Sequence, residues 1–448
     1  WQVAAIGPAG ERLVPFATIS HDGRHAGRGG LGAVLGSKRL KAIAVRGDRR
    51  ATIAQPEATV ALAKRLSERS FGPATEKYRE LGTVANLLVF NRFDALPTRN
   101  FRSGRFEGVE HLAPEDLAPA RRVARKSCAA CTIGCEHVYA RSNGDGVRLE
   151  YESLFALGPL CGVEDPDAVI RAAAACDELG IDTISTGGTI AFVMECVERG
   201  LIDGRIGPSG RHLRFGDGEA VVEAIRSIPA REGLGALLAL GSRRAAERIG
   251  GGSEAWAMHV KGLELPGYDP RSLQTMALGL AVSTRGADHN RSGAYEADFS
   301  ERADRRRGGP SSAPLAIATE DRAALLDSLI LCKFLRGVFD DLFAESAELL
   351  AAVTGWDVTG EELHHVARRV INARKCLNQR EGWTRAEDTL PARLLCDAPE
   401  TPGAAHLPAS RLQDMITAYY RERGWTEDGR VPKDLRAALG LDDPAFGS

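Results

Sequence analysis

Ser127-Cys128-Ala129-Ala130-Cys131-Thr132-Ile133-Gly134-Cys135 sets three cysteines at CxxCxxxC spacing, directly after the basic run Arg121-Arg122-Val123-Ala124-Arg125-Lys126. Three thiols in so short a turn cannot all join one another as disulfides, because adjacent bridges would strain the loop. As thiolates they can cap one corner of an inorganic cluster, with a fourth ligand supplied from elsewhere. A zinc knuckle is the rival reading. Zinc normally takes a second CxxC-like pair or histidines, and the next candidate, His137, follows almost at once. Three unrelated buried thiols are the third possibility. Basic side chains leading into the turn suit thiolates and a cluster, since they offset anionic charge and tune potential.

Working outward, a chain of 448 residues is too long for one ordinary core, so two or three domains are expected. Its 44% hydrophobic and 26% charged fractions are those of a soluble globular protein. A net charge of −2 gives no case for nucleic acid or an anionic membrane surface. Nine scattered cysteines, an odd number, do not resemble a secreted disulfide framework, so a reducing cytoplasm is expected. No apolar run of about 18 residues is present, hence no membrane span, and no signal peptide is visible. The opening Trp1-Gln2-Val3-Ala4-Ala5-Ile6 reads as a strand with no starting methionine. The numbering is therefore expected to begin inside a longer polypeptide.

Residues 1–48 read as β-rich, with short apolar runs at Val3–Ile6, Leu13–Ile19 and Lys41–Arg46 between glycine-rich turns. Within His25–Lys38, Gly27, Gly29 and Gly32 formally satisfy GxGxxG, and Asp48 falls about where a dinucleotide-binding acid belongs. The context argues against that motif. No apolar strand runs directly into Gly27, and Ala33–Lys38 is too short for a crossover helix. The loop still suits close backbone approach to a phosphate, with a tight β-turn as the plain alternative.

From Pro56 the pattern turns helical: Glu57–Arg69, Pro73–Phe90, Glu150–Leu160, Asp165–Leu179, Thr183–Arg199, Glu219–Ser227 and Arg231–Ile249. Gly250-Gly251-Gly252-Ser253 reads as a domain boundary. Beyond it, helices are expected at Leu273–Ser283, Glu320–Phe334, Phe339–Thr354 and Gly360–Gln379, with Glu301–Pro314 as a mobile loop. Two stretches echo each other. Asp177-Glu178-Leu179-Gly180-Ile181-Asp182 and Asp327-Ser328-Leu329-Ile330-Leu331-Cys332 share Asp-x-Leu-x-aliphatic and both end an apolar helix. Two such ends can clasp one flat, donor-rich ligand, and Cys332 offers the thiolate missing from the first three.

Taken together, Gly27–Arg46 (GRGGLGAVLGSKRLKAIAVR), CAACTIGC at 128–135, DELGIDTISTG at 177–187, RGADHNR at 285–291, DSLILCK at 327–333 and REGWTRAEDTLPAR at 380–393 resemble the aldehyde:ferredoxin oxidoreductase family. These are tungsten or molybdenum bis-pterin enzymes. The matches keep their order along nearly the whole chain, which would begin late in the family's N-terminal β-domain. The resemblance implies an α+β fold: a remnant of that β-domain at 1–50, then two mostly α-helical domains, 51–252 and 253–448, clasping the cofactor. It implies a [4Fe-4S] cluster on Cys128, Cys131, Cys135 and Cys332. The pterins would be gripped by Asp177, Gly180, Ile181 and Asp182 and by Asp327, Leu331, Cys332 and Lys333. The Gly27–Lys38 loop would lie by the pterin phosphates and their bridging Mg2+, with Ala33 as a backbone ligand. Glu152 and His289 would handle protons beside the metal. An aldehyde would be oxidised to an acid, and electrons would pass to ferredoxin or to iron–sulfur or flavin subunits, in a homodimer or hetero-oligomer.

The sequence departs from the family pattern in places. Ile330 replaces a glycine, Asp288 replaces a cysteine and adds charge near the substrate, and Arg171 and Val222 stand where some members bind an intersubunit iron, so no such iron is expected. Without the resemblance, Glu152 reads as one exposed charge at a helix start and His289 as a loop histidine. Two further functions stay open: the active-site subunit of a tungsten-dependent aromatic acyl-CoA (benzoyl-CoA type) reductase, and a zinc-stabilised helical or inactive truncated protein.

Overall fold

The computed structural model describes residues 1–113, 117, 121–141, 144–401 and 403–442. It is 51% helix and 9% strand, an α+β architecture with the strands confined to small sheets. The first sheet has the order β3-β2-β1-β4, with β1 Gln2–Ile6, β2 Ile19–His21, β3 Arg24–Ala26 and β4 Ala42–Val45. All three pairings are antiparallel. A dinucleotide-binding βαβ unit needs a parallel pair, so GxGxxG serves another purpose here. Gly29 and Gly30 take positive φ (97° and 72°) and turn the chain into the short helix Leu31–Ser37. A side chain on Gly30 would collide with the carbonyl of Pro15.

The expected strand Leu13–Ile19 is not one beyond Ile19 itself. Its backbone is committed elsewhere: Thr18 N–H donates to Gly180 O at 2.8 Å and Asp182 N–H to Phe16 O at 3.0 Å. The N-terminal segment thus clamps the first of the two echoing turns. Two expected helices also break at glycines. Pro73–Phe90 divides at Gly82 (φ 73°, ψ −168°) and Arg231–Ile249 at Gly241 (φ 78°, ψ 162°), a positive-φ extended conformation that no helix contains and that glycine adopts most readily. Glu320–Phe334 instead runs from Ser312 to Ser328. The charged stretch before it is held in place: Arg305 Nη1 donates to Phe93 O at 2.9 Å, and Gly308 N–H to Gln274 Oε1 at 2.9 Å.

The cysteine turn joins β5 Arg122–Lys126 to β6 Glu136–Ala140, and β7 Gly146–Arg148 completes a three-stranded antiparallel sheet in the order β5-β6-β7. The helices pack around one continuous cluster of buried apolar side chains that runs from Ala9 to Val431. A smaller cluster gathers Leu325, Leu326, Phe339, Leu342 and Leu363.

The sequence echo proves to be a shared helix end. Gly180 N–H bonds Asp177 O and Ile181 N–H bonds Cys176 O, with Gly180 left-handed at φ 70°. The same two bonds recur from Ile330 to Asp327 and from Leu331 to Leu326, with Ile330 at φ 57°. A β-branched residue in this conformation is strained by about 1–3 kcal/mol. Ile330 is also 92% exposed, so burial returns little of that cost. Replacing Ile330 with glycine is expected to raise stability by about 1 kcal/mol, after the entropic cost of glycine. A urea midpoint that does not rise would refute the strain argument.

Candidate active site

Between the two shared helix ends opens a cavity of about 1120 Å³. That volume exceeds what a single drug-sized ligand occupies and has room for a large cofactor with substrate. Glu152, Asp182, His289, Cys332 and Lys333 line it. Ala33, Asp177, Gly180, Ile181, Asp327 and Leu331 do not reach its wall. The two echoing aspartates act on the cavity through side chains that line it. Asp177 Oδ1 lies 3.1 Å from His25 Nε2, and Asp327 pairs with Arg291 and, at 3.0 Å, with Lys333 Nζ; His25, Arg291 and Lys333 all face the cavity.

Asp182 caps the helix Thr183–Glu198, accepting from Ser185 N–H at 3.0 Å, so the positive end of that helix opens toward the cavity. Arg28, from the glycine loop, donates to Asp182 Oδ2 at 3.3 Å and to Ala287 O at 2.6 Å. The guanidinium of Arg285 in turn holds the Arg28 carbonyl. Arg28, Arg285 and Arg291 were not singled out from the sequence. Arg285 and Arg291 lie inside the RGADHNR stretch around His289, which is the signal that points to them; for Arg28 only the loop's basic character does.

Glu152 and His289 approach across the cavity wall, Oε1 to Nε2 at 3.5 Å. Glu152 Oε2 accepts the Gly267 N–H at 3.0 Å, whereas its Oε1 and His289 Nδ1 are buried without hydrogen-bond partners. Burial, reinforced by Asp182 and Asp288, pushes the Glu152 carboxyl up to about 7 against the pull of the Gly267 amide and Arg28. Burial pushes His289 down to about 4, so its imidazole is neutral at physiological pH. Asp288 does not present the free charge expected of it. Burial would raise it, but Arg285 at 2.7 Å outweighs that and holds it below the usual carboxylate range, while its Oδ1 caps Asn290. Tyr268 and Tyr295, stacked with ring centroids 5.1 Å apart, and Phe90 complete an aromatic wall beside His289.

The four cysteines of the expected cluster lie in one another's electrostatic field. Cys332, exposed as a residue, is raised by desolvation from the protein atoms packed around its thiol and then by Cys131 and Cys128; Cys135 is pushed up to about 12 by burial, Glu150, Cys332 and Cys131. The turn is shaped by Ala130 and Gly134, both left-handed, and by an N–H of Ile133 directed at Cys131 Sγ. All nine cysteines are free thiols. Among the described residues no three His, Cys, Asp or Glu side chains are placed to hold a single metal ion, which is what a zinc knuckle requires.

This geometry can be set beside known proteins. The family model described as aldehyde ferredoxin oxidoreductase, domains 2 and 3, matches residues 59–441, and the model of that enzyme's N-terminal domain matches residues 1–47. The chain belongs to the aldehyde ferredoxin oxidoreductase family. It is therefore an oxidoreductase. The tungsten-containing aldehyde ferredoxin oxidoreductase of Pyrococcus abyssi is 38% identical over 457 residues, covering 99% of this chain and 74% of that protein. An aliphatic sulfonate oxidoreductase, WOR-like subunit, of Pyrococcus furiosus is 28% identical over 97% of this chain and 69% of its own length. The active-site complex of a benzoyl coenzyme A reductase, solved with 1,5-dienoyl-CoA, shares the fold with a TM-score of 0.80 at 23% identity, over 98% of this chain and 73% of that one.

The family's metal-pterin cofactor fits what this cavity offers. Arg28, Arg285, Arg291 and Lys333 supply cations for anionic groups, and a helix N-terminus opens onto the same space. Glu152 Oε1 and His289 Nδ1, on two residues that line the cavity, are buried with hydrogen-bonding capacity unused.

Proposed function

We propose that the protein is a tungsten- or molybdenum-dependent bis-pterin enzyme of the cytoplasm that oxidises aldehydes to carboxylic acids. Electrons would leave through a [4Fe-4S] cluster to ferredoxin or to iron–sulfur or flavin subunits. The supporting observation is the Glu152–His289 pair on the cavity wall, a carboxyl held near 7 facing a neutral imidazole. A general base works best when its pKa lies near the operating pH. In this reading the carboxylate form of Glu152 takes the proton of the water that adds to the aldehyde carbon. Neutral His289 donates a hydrogen bond to the carbonyl oxygen and steadies charge that develops there. The balance is aldehyde plus water to acid, two protons and two electrons. The redox chemistry is supplied by the metal-pterin group when bound.

Cys128, Cys131, Cys135 and Cys332 would hold the cluster, and Cys332, which also lines the cavity, would link the two redox centres. The segments 177–182 and 327–333 would grip the pterins, and Ala33 would contribute its backbone to the magnesium between their phosphates. The division at residues 50 and 252 goes with this reading. Cys332→Ser is expected to cut iron from about four to near zero per chain while the protein stays folded; unchanged iron would remove Cys332 from the ligand set.

The deciding assay is viologen reduction by simple aldehydes with protein that carries about four irons and one tungsten or molybdenum. The aromatic wall at Phe90, Tyr268 and Tyr295 favours one second reading, reduction of an aromatic acyl-CoA ring. Metal-loaded protein inert toward every aldehyde would favour it, and one zinc with no iron would sink both.

A further inference from the structure

We infer that the edge strand β5, together with Phe71 and Ile330, forms the docking surface for a small acidic iron–sulfur electron carrier. The inference rests on the cluster assignment above. Strand β5 lies at the edge of its sheet, and all five of its residues are exposed. It carries Arg122, Arg125 and Lys126, and Arg79 lies beside it, its carbonyl accepting from Arg125 Nη1 at 3.1 Å. Arg122 donates to the Glu80 carbonyl at 2.6 Å, and Arg79 to carbonyls of residues 70–72. Among the described residues none of these four cations is ion-paired within 4.0 Å, although the chain as a whole is slightly acidic at −2.

This cationic arc adjoins the exposed thiols. Cys128 and Cys332 are both exposed, and the turn between Cys131 and Cys135 is tied to Ser70 through Thr132 Oγ1. Next to Ser70 is Phe71, 57% exposed, with the Arg79 guanidinium 5.8 Å from its ring centre. Two residues before Cys332 stands Ile330, 92% exposed in a strained left-handed conformation. Exposed apolar side chains among cations without ion-pair partners suit a transient interface, and the positive charge selects a negative partner. Lysines and arginines on an edge strand also guard against self-pairing. A guard has no need of two large apolar side chains and two redox thiols beside it.

Each aldehyde oxidised releases two electrons. A one-electron carrier would dock twice per turnover, or two carriers once each, taking one electron at each visit and leaving the cluster oxidised.

The test uses the metal-loaded protein with an acidic ferredoxin and, in parallel, a viologen dye as acceptor. Arg125→Glu/Lys126→Glu is expected to raise KM for ferredoxin about tenfold relative to the viologen rate, and Phe71→Asp to raise it severalfold. Arg205→Glu, on the exposed end of the short strand Arg205–Ile206, which pairs with Arg211–His212 and not with β5, should change neither rate. Wild-type affinity for ferredoxin, read by interferometry without turnover, should weaken steeply between about 0.05 and 0.5 M salt. Unchanged ferredoxin KM in the charge-reversal and Phe71 variants would overturn the docking surface while leaving the enzymatic reading intact. Salt-insensitive association, the mark of a permanent apolar subunit interface, would overturn it too. Loss of both viologen activity and iron in the wild-type protein would instead overturn the reading beneath it.

Discussion

Glu152→Gln is expected to lower kcat for aldehyde oxidation by about 100- to 10,000-fold, the usual worth of a positioned general base. The amide keeps the shape and can still accept the Gly267 N–H, which now bonds Oε2 at 3.0 Å. It cannot take a proton. In the parent protein the rate should rise with pH through about 7, as the carboxylate forms. That limb should vanish from the residual rate of the variant. His289, held down to about 4, should contribute no titration between pH 6 and 8.

Stability is expected to move the other way. Because the folded protein holds the Glu152 proton to about 7 while the unfolded chain releases it near 4.5, the folded state binds the extra proton across that window. Stability therefore falls as pH rises from about 4.5 to 7 and stays lower above it. Glutamine removes this penalty, so the variant should be more stable at pH 8 by on the order of 2 kcal/mol. A variant that keeps full activity would remove Glu152 from the chemistry. One that loses both activity and stability would show a structural role instead.

Arg393→Met is expected to cost about 3–5 kcal/mol of unfolding free energy, because it strips the principal partner from a fully buried carboxylate. Glu195 has no solvent exposure, and burial alone would raise its pKa. Arg393, Asn100 and Arg102 overcome that and hold it at about 2. Arg393 Nη1 donates to Glu195 Oε2 at 2.7 Å and to the Asn100 carbonyl at 2.9 Å. Asn100 sits in a run of three consecutive left-handed residues, Arg99, Asn100 and Phe101, whose Phe101 carbonyl is held by buried Arg271 at 2.6 Å. Removing Arg393 leaves this strained turn with one anchor fewer. Arg199, at 2.7 Å from Glu195, remains and should keep the loss toward the lower end. In the parent protein this stabilisation is present above the ordinary carboxylate pKa and is lost as pH falls through about 2. The gap between the two proteins should accordingly narrow in acid. Urea unfolding at pH 7 and pH 3 checks both statements, and a gap below about 1 kcal/mol at pH 7 would refute the account.

Much of the site could be read locally. CxxCxxxC, the helix start at Asp165 and the two echoing helix ends are short-range patterns, and the helix start and helix ends are made by short-range backbone bonds. The breaks at Gly82 and Gly241 were missed because a glycine inside an apolar period costs only about 1 kcal/mol, and tertiary packing decides whether it bends the chain. At Gly82 an added Cβ would press on the His137 ring, a neighbour distant in sequence. The strand expected at Leu13–Ile19 failed for the same kind of reason. Its amides and carbonyls are used by Gly180 and Asp182, and no local pattern announces such a partner.

By itself the sequence determined the cysteine turn at 128–135, the family, and the pairing of Asp177–Asp182 with Asp327–Cys332, because each is carried by residue types at short fixed spacings. Only the tertiary structure decided what those residues do to one another. It set Asp177 against His25 and Asp327 against Lys333 at the cavity, paired Asp288 with Arg285, and brought Glu152 to His289 on the cavity wall. Desolvation and the field of distant charges fix these properties, and both depend on which segments the fold brings within a few ångströms, not on their order along the chain.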